Sequence, residues 1–166
     1  MSETRDEPAP RRSTIRGAVT SFVAHIDGGA RGNPGPGGWG AVVRTESGET
    51  IAELSGALAH ATNNVAEYTG LLETLRWCQD HDATKVHVRS DSLLLVQQMR
   101  GVYKVKNEGL KPLHAQARLL AYRIGDVTFE HVPREQNRDA DRLANVAMDE
   151  AERTRGAGGP PPLSDR

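Results

Sequence analysis

Cysteine is almost missing from this chain. Cys78 stands alone among 166 residues, so no disulfide can close within the chain, and a reducing, cytoplasmic setting is expected. Aromatic residues make up only 4%. That scarcity argues against a sheet paved with stacked aromatic platforms for single strands. No apolar run approaches the roughly 18 residues that a membrane span needs, so no membrane partner is expected. The opening stretch, MSETRDEPAPRRSTIRG, has charges but no hydrophobic core of a secretion signal. A charge excess is missing too, with 21 basic residues against 22 acidic ones. If such a protein grips a polyanion, it must do so through a local patch.

What is present reads as one domain. Residues 1–17 mix Pro, Ser, Arg and Glu and are expected to form a disordered arm. Residues 154–166, TRGAGGPPPLSDR, read as a disordered tail or linker, which leaves open a fused domain beyond it. The domain between them, 18–153, shows no internal repeat.

Periodicity orders the domain. Val19 to Ile26, Trp39 to Arg44 and Thr50 to Leu58 read as strands, with a hairpin turn at Glu46 to Glu49. Asn64 to Gln79 is helical, with Val65, Tyr68, Leu71, Leu72, Leu75 and Cys78 on one stripe. Lys85 to Ser90 is a strand, and Ser92 to Met99 and Leu110 to Tyr122 are helices. Val127 to Val132 is a fifth strand; Asn137 to Glu152 is a last helix with Leu143, Ala144, Val146 and Ala147 inward. The order βββαβααβα implies an α/β fold: a five-stranded mixed sheet, antiparallel at first and parallel later, with helices on its faces.

Four acids fall at element ends, where ligands of α/β sheets collect. Asp27 closes the first strand and Asp91 follows the fourth; Glu67 and Asp141 open helices. Each has a plainer reading. Asn64-x-x-Glu67 resembles a capping box, Asp91 is a possible N-cap, and Asp141 suits a helix dipole. Asp27 is the least easily explained, because Asp is disfavoured in strands. Gathered together, such acids repel by roughly 4 kcal/mol per close pair at an effective dielectric of 20, so either protons or cations must join them. All-oxygen ligands favour Mg²⁺ or Mn²⁺, and two such ions suit phosphodiester hydrolysis.

The glycine-rich FVAHIDGGARGNPGPGGWG, residues 22–40, lacks the Gly-Lys-Ser/Thr ending of a nucleotide P-loop. It leads into a strand rather than a helix, which speaks against a dinucleotide fold. Its later glycines read as a tight link into Trp39.

Four stretches in order, IDGGARGNPGPGGWG at 26–40, ATNNVAEYTGLLETL at 61–75, SDSLLLV at 90–96 and NRDADRLAN at 137–145, resemble type I ribonuclease H. The resemblance covers about residues 20–150. It implies the ribonuclease H fold and an endonuclease that cuts the RNA strand of RNA–DNA hybrids. It places two Mg²⁺, or Mn²⁺, on Asp27, Glu67, Asp91 and Asp141, with Asp139 as the competitor for the last role. The implied products carry 5′-phosphate and 3′-hydroxyl ends. Gly28, Asn33, Asn63 and Asn64 match positions that contact RNA, and Thr62 matches one that grips a DNA phosphate. Reading 2′-hydroxyls in a shallow groove suits short amides and bare backbone.

Two departures follow. Many type I enzymes carry a histidine on a mobile loop before the last acid. Here the loop is VPREQNRDAD, shortened and without histidine, which implies a subfamily; Arg134 or Glu135 is a candidate substitute. His131 and His114 read as structural or packing residues. The basic handle of some members is reduced to RGVYKVKNEGLK, where Arg100, Lys104, Lys106 and Lys111 form the best candidate phosphate patch. Substrate binding is then expected to be weak and salt-sensitive, by a monomer. The rival readings are a broader nuclease that also cuts double-stranded RNA, and a non-catalytic hybrid-binding module on the same fold.

Overall fold

β1 (Ser21–Ala30), β2 (Gly35–Thr45) and β3 (Thr50–Ala61) form an antiparallel meander, followed by α1 (Asn63–Asp80). β4 (Lys85–Ser90), α2 (Leu93–Met99), α3 (Lys111–Ile124) and β5 (Asp126–His131) come next. A 3-10 turn, Arg134–Gln136, leads into α4 (Arg138–Ala157). The computed structural model describes residues 19–157; the arm expected at 1–17 and residues 158–166 lie outside the described residues. The sheet order is β3-β2-β1-β4-β5, with β1, β4 and β5 parallel to one another. The expected mixed five-stranded sheet is therefore present.

The two faces are covered differently. α1 and α3 lie over one face, where Ala24, Ile26, Val86 and Val88 meet Tyr68, Leu71 and Leu75 in the main core. The expected α1 stripe is buried throughout except Val65, which is partly buried. Each such leucine contributes roughly 1.5–3 kcal/mol by leaving water. The Tyr68 hydroxyl donates to Gln98 Oε1 at 2.8 Å, so the buried phenol is satisfied and α1 is tied to α2.

α4 covers the other face through small residues. Ala140, Ala144, Ala147 and Ala151 form its buried stripe. The helix comes so close that a Cβ on Gly40 would lie 2.6 Å from Ala140 O and Ala144 N. This corrects the reading of the glycine-rich segment. β1 does not end at Ile26 but runs through Gly28 and Gly29 to Ala30, and β2 opens at Gly35 rather than Trp39. Glycine is a poor strand former, but helix contact across the sheet outweighs that local preference. Val146 is also corrected: expected inward, it is 54% exposed. At about 100° per residue it falls off the alanine stripe. The helix itself runs past Glu152 to Ala157.

Candidate active site

The parallel β1–β4 ladder ends at the rung Ile26 opposite Ser90. Asp27 and Asp91 are the next residues on each strand, so the register sets them side by side. α1 brings the third acid. A Cβ on Gly28 would meet Ala66 C and O and Glu67 N at 2.6–2.7 Å, so glycine lets the first turns of α1 press against β1. Carboxylate oxygens of Asp27, Glu67 and Asp91 then lie within 4.8 Å of one another.

Asp141 joins from α4, its carboxyl close enough to that of Asp27 to hold its pKa up. Its amide donates to Asn137 O at 3.0 Å in the first turn of the helix. Asn137 is buried, and its Nδ2 donates to Ile26 O at 2.8 Å, which pins the approach to α4 against β1 beside Asp27. Asp139 points elsewhere: it pairs with Arg44 NH2 at 2.8 Å.

The plainer capping readings fail at two positions. Thr62, not Asn64, caps α1, its Oγ1 accepting from Val65 N at 3.2 Å. Ser92, not Asp91, caps α2, its Oγ accepting from Leu95 N at 3.2 Å. Glu67 and Asp91 are thus released from the helix ends they adjoin. The Ser92 hydroxyl also lies beside Glu67, where it favours the charged carboxylate. That role was not read from the sequence, although the S-D-S spacing carries it.

The electrostatics follow from this crowding. Burial, then the Asp91 charge and the neighbouring Asp141 carboxyl, push the Asp27 carboxyl up to about 8. Burial raises Glu67 to about 7, against the opposing Ser92 hydroxyl. Burial also raises Asp91, opposed by the Arg134 guanidinium. Carboxyls held this far above their ordinary range lack a positive partner at their centre. A site of hard oxygen donors with that deficit fits a divalent cation.

Asp27, Glu67 and Asp91 floor a cleft of about 420 Å³ walled by Gly28, His131, Val132, Pro133 and Arg134. His131, expected to be structural within its strand, is exposed at the rim with its Nε2 3.2 Å from Asp91 O. Arg134 NH2 stands 3.8 Å from Asp141 Oδ1. Glu135 lies instead beside His25 and Arg44 in a separate hollow.

The expected substrate contacts divide into two groups. Asn33 Oδ1 accepts from Asn63 N at 2.9 Å, and Asn63 Oδ1 accepts from Ala30 N at 2.8 Å. Both amides spend their oxygens internally, so their NH₂ groups are the ends left to donate outward. Thr62 and Asn63 are exposed and Asn64 is half-buried, at the start of α1. Lys104, Lys106 and Lys111 are exposed on the α2–α3 connection and the start of α3. Lys111 Nζ pairs with Glu108 at 2.6 Å; among the described residues Lys104 and Lys106 have no acid partner. His114 packs edge-on against Tyr68, as expected.

Known proteins share this sequence pattern and fold. The family described as Reverse transcriptase-like matches residues 25–147. The bifunctional protein of Mycobacterium tuberculosis is 48% identical over 140 residues, which cover 84% of this chain and 38% of that protein. The chain thus spans well under half the length of that relative. The solved N-terminal RNase H domain from that species, a fusion with maltose binding protein, superposes with a TM-score of 0.79 at 47% identity, covering 81% of this chain and 98% of that one. Ribonuclease H of Hydrogenovibrio crunogenus is 38% identical over 138 residues, covering 75% of this chain and 92% of that protein. LC11-RNase H1, solved in complex with an RNA/DNA hybrid, gives a TM-score of 0.75 at 43% identity, covering 79% and 99%. By family model, sequence identity and fold, the chain belongs to the ribonuclease H family.

Proposed function

We propose that this chain is a metal-dependent endonuclease that hydrolyses the RNA strand of RNA–DNA hybrids, leaving 5′-phosphate and 3′-hydroxyl ends. One arrangement carries the reading: Asp27, Glu67 and Asp91, from three different elements, meet within 4.8 Å in a chain of the ribonuclease H family. A binding module gains nothing from anions turned toward a polyanion.

In this reading Asp27, Glu67, Asp91 and Asp141 hold two Mg²⁺ ions, with Mn²⁺ able to replace them. Bound there, the ions activate water and stabilise the leaving oxygen. The chain's own residues do the rest. Ser92 steadies the Glu67 carboxylate, Asn137 fixes the approach to Asp141, and Arg134 tempers the acid charge from the rim. The NH₂ groups of Asn33 and Asn63 donate into the groove with Gly28 and Asn64 beside them. Thr62 accepts from Val65 N and still has its own O–H to give a phosphate at a helix N-terminus. Lys104, Lys106 and Lys111 add phosphate contacts. The protein acts as a cytoplasmic monomer.

The test is a paired assay of a hybrid duplex and double-stranded RNA, each with Mg²⁺ and with Mn²⁺. Cleavage of the hybrid RNA strand alone is expected. Equal cutting of double-stranded RNA would replace this reading with a broader duplex nuclease, and no cleavage under any condition would replace it with a binding module.

A further inference from the structure

The tip of the β1–β2 hairpin, residues 31–34, carries Asn33 and is fastened on two sides. On one side it meets α1 where Asn63 N donates to Asn33 Oδ1 and Ala30 N donates to Asn63 Oδ1. On the other, Arg31 reaches α4. Its NH1 donates to the carboxylates of both Asp149 and Glu152. Its NH2 donates to Asn145 Oδ1 at 3.1 Å. Asn145 in turn donates from Nδ2 to Asp141 O at 2.9 Å. One guanidinium therefore links the Asn33 turn to the helix that carries Asp141.

Stability does not account for this link. The Arg31 side chain is 33% exposed and its two acid partners are 55% and 49% exposed. Ion pairs at such exposure contribute little to folding. The fork does fix direction: three partners on one helix hold a planar group in one orientation. The turn beyond that anchor is exposed, at Gly32, Asn33 and Pro34.

We propose that Arg31, Asp149 and Glu152 form a positioning clamp that presets the Asn33 turn for the nucleic-acid groove. This rests on the hybrid-nuclease reading above. Presetting the turn removes ordering cost from binding, so its loss is read in KM rather than kcat.

The acid pair makes the proposal separable from simple electrostatics. Steady-state cleavage of a defined hybrid with Mg²⁺ is compared for the full chain, Arg31→Ala and the double variant Asp149→Asn/Glu152→Gln. The clamp predicts a rise in KM of about tenfold for Arg31→Ala, with kcat within about twofold of the parent. It predicts a rise of similar direction for the double variant. Removing two negative charges would by itself tighten binding to a polyanion and lower KM. The salt dependence of KM should stay parental in both variants. Arg31→Lys keeps the charge without the fork and should raise KM by about threefold, which keeps the test open if Arg31→Ala fails to fold. A double variant whose KM is unchanged or lower overturns the clamp. So does a flatter salt dependence in Arg31→Ala, which would make Arg31 a direct phosphate contact. A parent chain inert on the hybrid overturns the nuclease reading and the clamp with it; an active parent with unmoved variants overturns the clamp alone.

Discussion

Asp27 and Asp91 stand next to each other because each is the first residue beyond the rung Ile26–Ser90 that closes the parallel β1–β4 ladder. The backbone register, not side-chain flexibility, brings the two carboxylates together. Replacing Asp91 by Asn keeps the shape and removes the charge. Hybrid cleavage should fall by at least about a thousandfold, while far-UV circular dichroism stays parental. Retained cleavage by purified Asp91→Asn protein would show that the cluster is not the catalytic site.

The same crowding sets a pH dependence. Asp27 and Glu67 titrate near 8 and 7 in the folded chain, against ordinary values of 3.8 and 4.5. Between those limits the folded state holds protons that the unfolded state has released. Stability of the metal-free protein must then fall as pH rises from about 4 toward 8. Thermal melts in EDTA should show that decline, and Asp27→Asn should reduce it, with a gain of about 3 °C or more at pH 8. Added Mg²⁺ should raise the melting temperature of the parent more at pH 8 than at pH 5, since binding to the folded state alone stabilises it. A parent and an Asp27→Asn variant with parallel pH profiles in EDTA would refute this account.

Gly40 should resist substitution for a reason unrelated to turns. An added Cβ would strike Ala140 O, Ala144 N and Leu143 Cβ, each at 2.6 Å. Most of those contacts are backbone and cannot rotate away. Gly40→Ala should cost about 3 kcal/mol by urea denaturation and shift α4, with a loss of activity through Asp141. A cost below about 1 kcal/mol would mean that the helix moves off the sheet freely.

These positions show where the sequence was readable. Alternation in KVHVRS and the apolar stripe of α1 report on contacts within a few residues, and β4 and α1 emerged within a residue of their expected bounds. The acids could be picked out because Asp in an apolar strand conflicts with its own propensity. The glycine segment was misread because the reasons for its glycines lie far along the chain: Gly38 and Gly40 meet the alanine face of α4 a hundred residues away, and Gly28 meets α1. The caps were misread for a subtler reason: Thr62 and Ser92 compete with neighbours of equal capping ability, and only the backbone angles decide. His131 and Arg31 owe their places to strand ends and hairpin tips, which periodicity does not locate.

Asn137 offers a test of loop placement. Its Nδ2 satisfies Ile26 O inside the core, while its Oδ1 has no partner among the described residues. Asn137→Ala should leave that carbonyl unpaired at a cost of about 1–3 kcal/mol and lower kcat by loosening Asp141. Unchanged stability and kcat would show that Pro133 and the 3-10 turn suffice to hold the approach to α4.

The remaining prediction concerns the grip on substrate in a chain with a net charge of only −1. Lys104 and Lys106 have no acid partner among the described residues, whereas Lys111 is paired with Glu108. Each lysine that meets a phosphate should contribute about 0.9 to the slope of log KM against log salt. Lys104→Ala/Lys106→Ala should therefore flatten that slope by nearly 2, with kcat little changed. Lys111→Ala should flatten it by much less, because Glu108 already neutralises part of its charge. Equal effects of all three lysines would mean that Glu108 releases Lys111 when the duplex binds. No effect of the double variant would place the phosphate contacts elsewhere, with Arg100 and Arg134 as the next to replace.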